Sequence, residues 1–152
     1  MDNPVIGMFS SRSFWSPFWA WFLAQGCKAI IGFLRTRRID FGYLVSTGGM
    51  PSAHSSMVGG LATSIGLEAG FGSPVFALAL LFALIVMFDA ATVRRAAGHQ
   101  ARLLNQIVDE LFHEHRLSEQ KLAELLGHTR LEVFMGFVLG IVTALLVHAV
   151  SA

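Results

Sequence analysis

Three polar clusters interrupt an otherwise apolar chain, and each holds residue types that phosphoryl or proton transfer requires. The first pairs Lys28 with Arg35. A separation of seven is close to two α-helical turns, so both cations fall on one helix face. A lysine inside an apolar helix is costly; it faces a cavity or a partner, or snorkels to the interface. The second cluster is Thr47-Gly48-Gly49-Met50-Pro51-Ser52-Ala53-His54-Ser55-Ser56. Its glycines permit tight turns, Pro51 suits a helix start, and Ser52 or Ser55 can cap that helix. Free backbone N–H groups at a helix start favour an anion, and His54 beside them titrates near neutral pH. The third cluster is split. Asp89 closes an apolar run, where a carboxylate normally has a partner, and Arg94 and Arg95 follow it. Their guanidinium forks match either a carboxylate or a phosphate. Gly127-His128-Thr129-Arg130-Leu131-Glu132 then sets His128 and Glu132 four apart, on one face of a helix start. A carboxylate beside a histidine fixes its tautomer and strengthens it as a nucleophile. The plainer reading of the same residues is a helix cap with surface charge.

The remaining histidines, His99, His113, His115 and His148, read as solvated or peripheral. A zinc site needs several His or Cys side chains converging, which His113-Glu114-His115 does not supply, so no metal is expected. Cys27 is the only cysteine, which excludes an internal disulfide, and it reads as a small packing residue. No cofactor and no nucleic-acid partner is expected.

The elements that position these clusters are read from hydropathy. The chain has 152 residues, 54% of them hydrophobic and only 14% charged, against roughly 25% charged in an ordinary soluble domain. The apolar residues form four blocks, at about 14–33, 56–71, 74–93 and 131–150. A helix needs about 20 apolar residues to cross the hydrocarbon core. The expected fold is therefore an all-α integral membrane protein, a single domain with about four transmembrane helices. The first block carries Trp15, Trp19 and Trp21 near one end, where indoles favour the interface. It lacks the basic leader and cleavage site of a signal peptide. The second block is thin, rich in Gly, Ser and Thr, and requires protein around it. Between the third and fourth blocks, residues 97–129 read as a helical hairpin. Leu103, Leu104, Ile107, Val108, Leu111 and Phe112 line one face of its first helix, and a second helix fits 118–126. That apolar face suits packing on the domain, on a second subunit or on the membrane surface.

Four spans put residues 34–55 and 94–130 on one side, together with nearly all the cations. Only Arg12 falls on the other side, with both termini. The positive-inside rule places the long loops in the cytoplasm. Ser56, Gly60 and Ser64 recur at four-residue spacing, as do Gly136 and Gly140; such small faces let membrane helices approach closely. The short chain and thin second span suggest a homodimer.

Together, Gly48-Gly49-Met50-Pro51-Ser52-Ala53-His54-Ser55, Asp89 with Val93-Arg94-Arg95-Ala96-Ala97-Gly98, and Gly127-His128-Thr129 with Glu132 resemble the divergent branch of the type-2 phosphatidic acid phosphatase superfamily. That superfamily also includes the vanadium-dependent haloperoxidases. The resemblance runs from about Lys28 to Gly140. In the wider superfamily a first motif has Lys, six residues, Arg and Pro; here Lys28 and Arg35 match and Thr36 replaces Pro. A second is Pro-Ser-Gly-His, matched by Pro51, Ser52 and His54 with Ala53 for Gly. A third has Arg, five residues, His, three residues and Asp. His128 and Glu132 keep the last spacing, but Leu122 stands in place of Arg, so Arg94 or Arg95 would supply the guanidinium.

The resemblance implies a membrane phosphatase or phosphotransferase that hydrolyses a phosphomonoester, such as a lipid phosphate, through a phosphohistidine. It implies His128 as nucleophile, Glu132 as its orienting carboxylate with Asp89 as second candidate, and His54 as general acid. Lys28, Arg35, Ser52 and Arg94 or Arg95 would bind phosphate. The rival expectation is a non-catalytic lipid-phosphate binder, carrier or oligomeric scaffold using the same cationic site.

Overall fold

The computed structural model describes residues 4–37, 49–111 and 127–151. Among them there are helices and no strands: α1 (Pro4–Ser10), α2 (Arg12–Thr36), α3 (Ala53–Ala69), α4 (Pro74–Ala91), α5 (Val93–Leu111) and α6 (Arg130–Val150). Helix α1 was not expected from the sequence.

The helix ends follow local chemistry. Arg37 closes α2 in the left-handed conformation, its N–H donating to the Phe33 carbonyl at 2.8 Å. Ser52 caps α3, accepting from the Ser55 N–H, and the chain leaves α3 through Gly70 at φ 87°. The expected turn over 70–73 is present. Ser73 caps α4 with Pro74 in its first turn, where a missing N–H is harmless. Thr129 and Glu132 form a reciprocal capping box at the start of α6.

The third apolar block was expected to run to 93 and the hairpin to begin at 97. Instead α4 ends at Ala91, and α5 begins immediately at Val93. The Thr92 hydroxyl donates to the Phe88 carbonyl at 2.6 Å, the same carbonyl that accepts the Thr92 N–H at 3.0 Å. No Gly or Pro follows Thr92 until Gly98, and Ala96-Ala97 favour helix, so coil is confined to one residue. The expected second hairpin helix, over 118–126, lies outside the described residues.

Helix α3 sits at the centre, packed on α2, α4 and α6. Its inward surface is made of Ser55, Ser56, Val58, Gly59, Gly60, Ala62 and Ser64. Gly140 of α6 lies where a Cβ would overlap the Ser56 carbonyl oxygen, and one at Gly136 would overlap that of Ser52. The small faces expected on the second and fourth blocks are thus the surfaces in contact. The Ser56 hydroxyl adds a bond to the Ala20 carbonyl at 2.9 Å.

The distribution is inverted relative to a water-soluble bundle. Alanines and serines fill the interior, with Ala20, Ala24, Ala83, Ala144, Ser16, Ser56 and Ser64 all at 0% exposure. Large side chains point outward; on α4, Leu78, Ile85 and Phe88 are about two-thirds exposed (69%, 68% and 67%). Such a surface is stable against hydrocarbon, where helices associate through close packing and polar contacts instead of burying apolar area. The stretch Pro74–Val108, which includes the break at Thr92, and helix α6 are each long and apolar enough to cross a membrane.

Candidate functional site

The carboxyl ends of α2 and α4 meet the amino ends of α3, α5 and α6 at one end of the bundle. Two close approaches assemble them. The Ser52 N–H donates to the Glu132 carbonyl at 3.0 Å, and Gly136 admits the Ser52 backbone. A Cβ at Gly127 would overlap the Arg95 backbone, so a glycine is required for the chain to bring His128 beside the start of α5.

His128 is almost fully buried, at 3% exposure. Its Nδ1 lies 3.1 Å from Glu132 Oε2, and the same oxygen accepts the Thr129 N–H at 3.1 Å. The pair and the cap are therefore one structure: Glu132 closes the helix start and orients the imidazole together. Its carboxylate fixes Nδ1 as the protonated nitrogen, leaving the lone pair on Nε2. Nε2 is buried and makes no hydrogen bond among the described residues. Burial holds the His128 pKa below the usual imidazole value; Glu132 opposes this, while Lys28 and Arg94 reinforce it.

Lys28 is 4% exposed, well inside the bundle, and within electrostatic reach of Glu132. His54 stands on the first turn of α3, within electrostatic reach of Arg94, His128, Lys28 and Asp89. His54 is also among the residues lining an apolar groove of about 260 Å³ between α2, α3 and α4, walled by Val58, Leu61, Phe82 and Val86. Arg94 Nε lies 2.9 Å from Asp89 Oδ2, the pairing expected for that carboxylate. Ser52 is buried, and its hydroxyl accepts from the Ser55 N–H at 3.4 Å and the Ser55 hydroxyl at 3.0 Å.

Six residues named from sequence thus share one neighbourhood: Lys28, His54, Asp89, Arg94, His128 and Glu132, with Ser52 beneath them. Arg35 and Arg95 do not join it. Both are exposed, and neither is among the charges acting on the two histidines. Lys28 and Arg35 share a face as expected, but the face leaves the packed bundle between them. Arg94 is the guanidinium the fold brings to the histidines. Among the described residues no group of three or more His, Cys, Asp or Glu side chains could hold a metal.

A second polar group was missed from sequence. At the opposite end, Arg12 Nε lies 3.4 Å from Glu68 Oε1, and Ser13 donates to the same carboxylate. Ser64 Oγ lies 3.3 Å from both Ser13 and Ser16, and 3.5 Å from His148 Nε2. The signal was the spacing: Ser13 and Ser16 are three apart and Ser64 and Glu68 four apart, each on one helix face.

The sequence profile of a family described as "Divergent PAP2 family" matches residues 9–143. The chain is similar to an uncharacterized membrane protein, YuiD, of Bacillus subtilis (strain 168), with 42% identity over 133 residues, covering 80% of this chain and 84% of the relative. No solved structure matches.

Proposed function

The chain belongs to the divergent PAP2 family, and from that premise we propose that it is a membrane phosphatase or phosphotransferase acting on a lipid phosphate through a phosphohistidine. The observation that carries this reading is His128: a buried imidazole, oriented through Nδ1 by Glu132, with Nε2 left as an unbonded lone pair. In the proposed reaction Nε2 attacks phosphorus, the P–O ester bond breaks, and His54 protonates the leaving oxygen. Water then attacks the phosphohistidine; the P–N bond breaks, phosphate leaves, and the water proton returns to His54. Lys28 and Arg94 offset charge on the phosphoryl oxygens. Phosphoryl transfer is mostly positioning and charge stabilisation, so a cationic pocket beside a nucleophile is the expected equipment.

The protein is an all-α membrane protein; its apolar outward faces, its long apolar helices and its similarity to a membrane protein agree on this. In our reading α2, α3, α4 and α6 all span the bilayer, with the His128 end in the cytoplasm and both termini opposite. The groove beginning at His54 supports a lipid substrate, because a chain attached to the leaving oxygen would lie against its apolar wall. A non-catalytic lipid-phosphate binder is the second reading. It is favoured by the pairing of Arg94 with Asp89 and by the position of Arg35, which leave fewer cations at the histidines than the family pattern implies.

The test is phosphate release from a panel of lipid phosphates by detergent-purified protein, beside His128→Ala. Release by the wild type, an acid-labile phosphoprotein on rapid quenching, and loss of both in the variant are expected. No release by folded wild type, with saturable lipid binding retained in His128→Ala, would favour the binder.

A further inference from the structure

A second pocket opens at the other end of the bundle, about 630 Å³ in volume, lined by Ser10, Ser11, Arg12, Trp15, Trp19 and Ser151, with Val147 at its wall. Its volume is in the range of small-ligand sites, roughly 300–1,000 Å³. We propose that this pocket binds the headgroup of an anionic phospholipid, with Arg12 as the ligand to its phosphate.

Arg12 is the one basic residue on its side of the chain in the four-span reading, where the positive-inside rule disfavours a cation. It is held, not loose. Its Nε faces Glu68, which also accepts from Ser13, a residue one position along the same helix. A guanidinium carries five N–H donors in a fixed fork, so a carboxylate on the Nε edge orients the group and leaves further donors for a phosphate. The guanidinium remains accessible, with 41% of the side chain exposed. Ser11 begins α2 but makes no cap hydrogen bond through its side chain, so its hydroxyl is not consumed by the helix.

The other lining residues indicate a lipid in place of a free anion. Trp15 and Trp19 are four apart on one face of α2 and are 42% and 50% exposed. Indoles settle at the headgroup level of a bilayer, which is the depth of the lipid phosphate. Trp15 Nε1 donates to the Phe9 carbonyl at 2.7 Å, fixing α1 against α2 and placing Ser10 at the pocket rim. Indole and valine walls beside an arginine and serines fit a group that is anionic at one end and apolar at the other. Inorganic phosphate would leave those walls unused. The pocket is also remote from the histidine site: Arg12 precedes Lys28 by 16 positions on α2, roughly 24 Å along the axis. The proposal therefore stands apart from the phosphatase reading.

The probes are phosphatidylglycerol, phosphatidylcholine and inorganic phosphate, added to the full chain in neutral detergent and followed by native mass spectrometry. One retained phosphatidylglycerol is expected, with phosphatidylcholine lost under the same conditions. Arg12→Gln should weaken retention about tenfold, the scale of one charge-assisted hydrogen bond, and Arg12→Lys should restore part of it. Equal retention of both lipids, unchanged retention in Arg12→Gln, or displacement by inorganic phosphate would overturn the proposal. Should Arg12→Gln not fold, Trp21→Phe keeps the test on a protein with Arg12 intact. Phosphatidylglycerol should shift the emission of the remaining Trp15 and Trp19, and phosphatidylcholine should not. The same shift with either lipid, or none with phosphatidylglycerol, overturns it. Because binding is read and not turnover, these outcomes are independent of the role of His128.

Discussion

Two histidines at the two ends of α6, His128 just before it and His148 in its last turn, are set in opposite hydrogen-bonding states. His148 uses both nitrogens: Nδ1 lies 2.9 Å from the Ala144 carbonyl, to which it must donate, and Nε2 lies 3.5 Å from the Ser64 hydroxyl and 3.8 Å from Glu68. His128 uses one, and its second nitrogen is buried without a bond among the described residues. Leaving a buried polar atom unbonded costs about 1–3 kcal/mol, a cost that packing alone gives no reason to retain. The difference teaches that burial alone does not set a histidine's hydrogen-bonding state; what separates the two is which nitrogen the surroundings leave over.

The comparison can be broken most sharply at His54, which joins the His128 neighbourhood and has no histidine counterpart near His148 among the described residues. His54→Ala should lower turnover by about 10²–10⁴-fold, the usual contribution of a general acid. Steady-state phosphate release at saturating lipid measures it, and turnover equal to wild type would remove His54 from the mechanism.

A smaller effect is expected at Glu132, which orients His128 in the proposed reaction. Because burial lowers the His128 pKa, the imidazole stays neutral below its ordinary value of about 6.5. The acid limb of kcat/KM should accordingly lie below that pH. Glu132 acts to raise this pKa, so Glu132→Gln should move the limb to still lower pH while reducing kcat. A limb that stays in place, or moves upward, would show that His128 does not set it.

The smallest effect belongs to the far end. His148→Ala removes a partner from Ser64 and Glu68 and should cost about 1 kcal/mol of stability, read as a lower unfolding midpoint in detergent. Turnover per folded molecule should be retained. Loss of turnover at unchanged stability would mean that the two ends are coupled, and the contrast between the histidines would fail.

Much of this was legible before any coordinates. The four apolar blocks are largely helical, although the second runs past Ala69 and the third crosses the break at Thr92, and Ser52 caps α3 as its residue type suggests. The pairs Asp89–Arg94 and His128–Glu132 form because each is local, five and four residues apart. Gly136 and Gly140 meet α3 because a small face has no other stable use between helices. What could not be read was long-range. Lys28 and Arg35 were alike by spacing, yet one is buried and the other exposed, because periodicity fixes a face and not how far the packed region extends along it. Arg94 and Arg95 were equivalent as neighbours in sequence, and only the turn between α4 and α5 separates them.

The sequence by itself determined the apolar helices, the Ser52 cap, the small faces and the local charge pairs, since these depend on residues within about two turns of one another. The tertiary structure alone decided that Lys28, His54, Arg94 and His128 share one end and that Arg12, Ser13, Ser64, Glu68 and His148 share the other. Both sets depend on how α2, α3 and α6 cross. That crossing is fixed by backbone contact at Gly60, Gly136 and Gly140 between segments tens of residues apart.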